Sequence, residues 1–253
     1  MEELGIRINK YIASSGICSR READSLVERG VVRVNGNTAE AGTRVFDGDV
    51  VEVEGKVITP KEEHFYIALN KPLGITCTTD TRDEDNIIDF IGFKERIFPI
   101  GRLDKNSSGL ILLTNDGDIV NKLLRAENGH EKEYVVRVDK KIDNTFKSKM
   151  ENGLPVDGQI TLPCTVDITG PHTFKIILKQ GLNRQIRKMC EQLGYRVVKL
   201  KRIRFMNILL GDLKVGAHRF LTKDEIRKLK ADVLHCPNYT MPYSLRFISR
   251  KIE

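Results

Sequence analysis

The order of apolar and polar positions divides the chain into a short helical stretch, a small strand-rich stretch, and a longer run in which strands and helices alternate. Ile8, Tyr11 and Ile12 recur at helical spacing, and Ala23, Leu26 and Val27 do so again. Ser19-Arg20-Arg21-Glu22 reads as a capping box, in which a hydroxyl and a carboxylate satisfy backbone donors at the start of the second helix, and Gly30 ends that helix. Val31 to Val34, the Asn35-Gly36 turn, and Val50 to Val53 behind Asp47-Gly48-Asp49 predict hairpin-like strands. A unit of this size leaves no room for a catalytic cleft.

Gly55 to His64, which contains Pro60, carries no sustained period and is expected to be a linker. Beyond it, Phe65 to Leu69, Leu110 to Thr114, Tyr134 to Val138 and Thr173 to Leu178 predict strands, and Asp118 to Arg125 predicts a helix. A second helix is expected over Asn183 to Gly194, with Ile186, Met189, Cys190 and Leu193 facing inward, Asn183 as its cap and Gly194 as its terminator. Thr222-Lys223-Asp224-Glu225 caps a last helix before an irregular tail from Asp232 to Glu253. The expected domains are therefore 1–60 and 61–231, with a tail over 232–253.

Composition narrows the class. A chain of 253 residues that is 40% hydrophobic buries a full core. Its five cysteines are scattered and form no Cys-x-x-Cys pair, so neither a disulfide framework nor a zinc site is expected, and the cytoplasm is the expected compartment. The first residues lack a basic region followed by an apolar one, and no apolar run reaches membrane-spanning length, so neither export nor membrane insertion is expected.

The net charge of +7 points to a polyanionic partner, and its distribution is more telling than its total. From Arg184 to Arg204 there are eight cations (Arg184, Arg187, Lys188, Arg196, Lys199, Lys201, Arg202, Arg204) against one acid, Glu191. Three of them crowd the first turns of a predicted helix, where cations oppose the macrodipole at a cost of up to about 1 kcal/mol. A phosphate or a carboxylate partner would offset that cost, whereas spacing alone favours an ordinary exposed basic face.

One carboxylate stands out. Gly101-Arg102-Leu103-Asp104-Lys105-Asn106-Ser107-Ser108-Gly109 runs straight into the apolar Leu110 to Leu113. Asp104 thus lies on a polar loop, between two cations and anchored by a buried strand, which makes it a nucleophile candidate.

Two resemblances extend this reading. Arg7 to Ile12, Gly16 to Ala23 and Val32 to Gly36 resemble an S4-like RNA-binding domain over residues 5 to 54. That likeness implies RNA contacts by Arg7, Asn9, Lys10, Ser19, Arg20 and Arg21. The loop around Asp104, with Gly109 to Gly117, Lys132-Glu133-Tyr134 and Gly181 to Met189, resembles pseudouridine synthases of the branch that carries such a domain and modifies ribosomal RNA. Asp104 to Ser107, His130 to Tyr134 and Gly181 to Gln185 look most like members acting on the large subunit.

This second resemblance covers roughly residues 5 to 231. It implies an α+β fold, with the small N-terminal domain followed by a catalytic domain on a mixed, mainly antiparallel sheet with flanking helices. It implies conversion of a uridine to pseudouridine with no cofactor and no metal. Asp104 becomes the essential carboxylate, as nucleophile or as base on the ribose, and Arg187 the cation that keeps it ionised. Tyr134 becomes the ring that stacks on the target base, Leu200 an apolar pocket residue, and Arg102 the arginine that enters the RNA stack.

Base extrusion, at a cost of a few kcal/mol, would bring the uridine to the pocket. Lys105, Asn106, Arg184, Lys188 and Lys199 would join the cations that hold phosphate. Large-subunit ribosomal RNA is the expected partner, with transfer RNA or the small subunit as other targets, and a monomer is expected. A non-catalytic RNA-binding or ribosome-assembly factor is the reading from a different class, and such a protein need not retain Asp104, Tyr134 and Arg187 together.

Overall fold

The computed structural model describes residues 5–124 and 129–234. It forms two compact units: the chain to Phe65 with Phe93–Ile97 and Asn115–Gly117, and the remainder.

The first unit contains β1 (Ile6–Arg7), α1 (Ile8–Ser14), α2 (Arg20–Glu28), β2 (Val32–Val34), β3 (Asn37–Thr38), β4 (Arg44–Val45), β5 (Val51–Val53) and β6 (Lys56–Ile58). Ile8 and Ile12 of α1 pack with Ala23 and Val27 of α2 and with Val32 and Val51 of the sheet. The expected capping box is present. Ser19 Oγ accepts from the Glu22 amide at 3.1 Å, and Glu22 Oε2 accepts from the Ser19 amide at 2.6 Å. The expected linker differs, because its first residues form β6, which pairs with β5 across the Glu54-Gly55 turn. An exposed edge strand of three residues leaves no burial pattern to read.

The second unit contains β7 (Tyr66–Lys71), α3 (Ile87–Ile91), β8 (Phe98–Ile100), β9 (Ser108–Thr114), α4 (Gly117–Leu124), β10 (Lys132–Val138), α5 (Asn144–Glu151), β11 (Pro155–Val156), β12 (Gln159–Ile160), β13 (Thr165–Gly170), β14 (Thr173–Leu178), α6 (Gln185–Gln192), β15 (Val197–Phe205), β16 (Ile208–Leu209), β17 (His218–Phe220) and α7 (Lys223–Leu234). Among the described residues its sheet runs β13-β14-β10-β15-β9-β7-β17, with β8 paired to β9 and β16 to β15. The β9–β15 pair is parallel and the others are antiparallel, so the sheet is mixed and mainly antiparallel, as expected. Every residue of β7 is buried, and so are six of the seven in β9, so these two strands are covered on both faces.

Helices cover both sides of this core. Ile119 and Leu123 of α4 and Leu229 of α7 pack on Ala68, Leu110 and Leu112. Phe146 of α5 meets Phe174 of β14 edge-on, with ring centroids 5.1 Å apart. Each such buried apolar side chain stabilises the fold by about 1.5 to 3 kcal/mol. Thr222 and Glu225 cap α7 reciprocally, but the helix runs to Leu234, past the expected start of an irregular tail. Residues 235–253 of that tail, and Arg125 of the helix expected from Asp118, lie outside the described residues. Among the described residues no helix is long and apolar enough to cross a membrane.

Candidate active site

The Asp104 loop leaves β8 at Ile100 and enters β9 at Ser108, so two buried strands fix its ends. Gly101 supplies the positive φ, 76°, that starts the turn. The Ser107 amide donates to the Asp104 carbonyl at 2.9 Å and closes the loop on itself. From one side, the Leu103 amide donates to Cys77 Sγ at 3.4 Å and the Gly74 amide to the Lys105 carbonyl at 2.9 Å. Lys105 Nζ reaches Asp85 at 2.7 Å, so its expected role toward phosphate competes with an ion pair.

From the other side comes Arg187, in the first turn of α6 and only 9% exposed. Its Nε stands 3.7 Å from Asp104 Oδ2. Its Nη2 donates to the Asn106 carbonyl at 2.7 Å and to Ser107 Oγ at 3.2 Å, and Nη1 to the Val197 carbonyl at 3.4 Å. Burial lowers the guanidinium pKa, and the Asp104 charge opposes that shift. The structure thus brings Asp104 and Arg187 together, with one guanidinium tying the loop to β15.

The start of α6 corrects the sequence reading. The cap position is Arg184, in a left-handed conformation with φ 52° and no side-chain cap, rather than Asn183. The Leu182 amide donates to Gln185 Oε1 at 3.1 Å, so the first helical residue reaches back to a backbone donor ahead of the cap. The Asn183 amide oxygen accepts from Lys188 Nζ at 3.4 Å instead. Lys188 also meets Asp157 at 2.7 Å, on the turn between β11 and β12.

Tyr134 and Leu200 belong to neighbouring strands. On β10 Tyr134 faces Arg202 of β15, and two residues on, Val136 faces Leu200, so alternation puts Tyr134 and Leu200 on one face of the sheet. Both are buried, and Arg102 is exposed.

The basic tract divides into two kinds of residue. Arg202 is 3% exposed and its Nε donates to the Leu110 carbonyl at 2.6 Å. Arg204 pairs with Glu133 at 2.9 Å and Glu131 at 3.1 Å. These two arginines hold β15 in place, which corrects the reading of the whole tract as a phosphate-facing stretch. Arg184 and Lys199 are exposed.

In the first unit Arg7, Arg20 and Arg21 are exposed, while Lys10 is half-buried. Asn9 is half-buried too, and its amide nitrogen donates to Asp24 at 2.8 Å. The Ser19 hydroxyl is occupied by its capping role.

One residue at the site was missed from the sequence. Lys71, the last residue of β7, is fully buried, and its Nζ donates to the carbonyls of Pro72 at 2.9 Å and Ile75 at 2.7 Å. Burial pushes its pKa down, while Cys77 and Asp104 pull it up. A lysine ending an apolar strand reads as a boundary residue, and nothing in its spacing marks it as a buried cation. The site as a whole is a partly open carboxylate on a loop held on one side by the buried Arg187 and on the other by Gly74 and Cys77 of the segment that wraps Lys71, an arrangement able to present a fixed nucleophile or base.

Comparison with known proteins places this geometry in a class. Residues 65–192 match the family model "RNA pseudouridylate synthase", and residues 6–51 match the "S4 domain" model. The chain belongs to the RNA pseudouridylate synthase family, as an isomerase of RNA uridine with an RNA-binding S4 domain. It is of the RluF type: it is 54% identical over 228 residues to the "Dual-specificity RNA pseudouridine synthase RluF" of Salmonella typhi and 53% identical to that of Escherichia coli K12. Each alignment covers 89% of this chain and 79% of the relative. The "Ribosomal large subunit pseudouridine synthase B" of Bacillus subtilis is 36% identical over 241 residues, covering 92% of this chain and 98% of its own. A solved pseudouridylate synthase superposes with a TM-score of 0.66 at 28% identity, covering 88% of this chain and 99% of its own.

Proposed function

We propose that this enzyme isomerises a specific uridine of large-subunit ribosomal RNA, with Asp104 as the carboxylate that acts on the nucleoside. The bond from ribose to nitrogen 1 breaks, the base turns, and carbon 5 bonds to the ribose, with one proton leaving carbon 5 and one gained at nitrogen. Atom count and redox state are conserved, so the reaction calls for no group donor or oxidant.

The observation that carries this reading is the 3.7 Å approach of Asp104 Oδ2 to the buried Arg187 guanidinium. The buried guanidinium sets a fixed positive charge beside a carboxylate that stays partly open toward the side from which a nucleoside would enter. Tyr134 supplies the ring for stacking on the base, and Leu200 an apolar wall on the same sheet face. Arg102, exposed two residues before Asp104, enters the stack from which the base is extruded. Arg7, Arg20 and Arg21 of the S4 domain and Arg184 and Lys199 of the second unit hold phosphates. The relative from Bacillus subtilis named for the large subunit supports that target. The RluF relatives are named dual-specificity, which favours a second RNA for this chain as well, with transfer RNA the class to test.

Asp104→Asn tests the chemistry. The variant should form no pseudouridine while binding target RNA within a few-fold of wild type; normal turnover would remove Asp104 from its role. Mapping pseudouridine in ribosomal and transfer RNA, with and without the gene, tests the substrate.

A further inference from the structure

Arg187 offers five N–H donors in a rigid plane. Both protons of Nη2 are taken, one by the Asn106 carbonyl at 2.7 Å and one by Ser107 Oγ at 3.2 Å. Nε lies on the same edge of the plane as Nη2. It is buried, it has no hydrogen-bond partner, and Asp104 Oδ2 stands 3.7 Å away, outside hydrogen-bond range. The Nη2 end of the edge that could close on a carboxylate with two parallel bonds is therefore committed to the Asn106 carbonyl and the Ser107 hydroxyl rather than to Asp104. That hydroxyl belongs to a side chain only 1% exposed, one whose own amide closes the turn on Asp104.

We infer that Ser107 is a positioning residue for the reaction: its hydroxyl holds the Arg187 fork so that Asp104 is paired with it electrostatically without being bound by it. The inference rests on the assignment of Asp104 as the reacting carboxylate. A carboxylate locked by two charge-assisted bonds is a weaker nucleophile and a weaker base, because both lone pairs and charge are committed. Without the hydroxyl, Nη2 lacks its second acceptor and the fork is free to close on Asp104, whose Oδ2 already stands 3.7 Å from Nε. The other charged groups near Asp104 and Arg187 are Lys71 from β7, Lys105 on the loop, tied to Asp85, and Arg184 and Glu191 on α6.

Single-turnover kinetics on a target RNA stem-loop tests this with Ser107→Ala, Ser107→Thr and Asp104→Asn. Ser107→Ala should lower the maximal rate about ten-fold, the worth of one hydrogen bond to a charged group, with half-saturating RNA unchanged. Its acid limb of rate against pH should also move to lower pH, since a carboxylate that gains hydrogen bonds holds its charge longer. Ser107→Thr keeps the hydroxyl and should restore both rate and limb. A loop that is merely loosened would raise the RNA requirement and leave the acid limb in place, which overturns the inference, as does a wild-type rate in Ser107→Ala. If Asp104→Asn turned over normally, the underlying assignment would fall first. If Asp104→Asn is inactive and Ser107→Ala behaves as wild type, only the role of Ser107 falls.

Discussion

Gly109 and Arg202 pack backbone against backbone where β9 and β15 run parallel, the one parallel pair of the sheet among the described residues. A Cβ built on Gly109 would lie 2.7 Å from the Arg202 nitrogen and nearer still to its carbonyl oxygen. Gly109 also has φ 101°, which side chains rarely adopt. Gly109 is the second residue of β9, so this contact fixes the spacing of β9 against β15 just beyond the Asp104 loop.

Gly109→Ala should therefore cost more than about 4 kcal/mol, a loss confined to severe overpacking and strain. Urea unfolding checks it, and an unchanged midpoint would show that the strands part more easily than their spacing implies.

Arg187→Lys should fail to replace Arg187. A single ammonium cannot span the acceptors of Asn106, Ser107 and Val197 as the planar fork does. Leaving the buried Ser107 hydroxyl without its donor should cost about 1 to 3 kcal/mol, together with the loss of isomerase activity. Thermal melting and product assays, run side by side, measure the two effects.

Lys132 gives a pH signature. Burial, with a smaller push from Arg202, takes its pKa from 10.5 to about 8. Between those values the unfolded chain keeps a proton that the folded chain has released, so stability rises with pH across that window. Wild type should gain stability relative to Lys132→Met as pH goes from about 8 to about 10. Parallel urea midpoints that never converge or cross would contradict it.

Arg20→Ala and Arg21→Ala should each weaken RNA binding about equally across sequences, and each should lower the slope of log affinity against log salt by about one. Filter binding at several salt concentrations reads that slope. An unchanged slope would make α2 an ordinary solvated face.

Local signals carried far in the sequence. The Ser19 capping box and the strand Thr173–Leu178 stand where pattern alone put them, because each depends on residues within a few positions. What escaped were contacts that no side-chain pattern announces. Lys71 and Arg202 are charges inside the core, where patterning expects apolar residues, and their partners are backbone carbonyls that have no sequence identity. Arg204 looked like part of a basic face until β10 brought Glu131 and Glu133 against it. The cap of α6 was misread because a left-handed arginine is rare enough that an asparagine is the better guess. Pairing Asp104 with Arg187 needed the family likeness, since helical spacing alone assigned Arg187 to a polar side that the fold then buried.

The sealed ammonium of Lys71 has a consequence for how RNA is met. Two carbonyls of the segment after β7 bend around it, and that segment braces the Asp104 turn through Gly74 and Cys77. The enzyme's half of the encounter is thus preorganised when the chain folds, and the conformational work of capture falls on the nucleic acid.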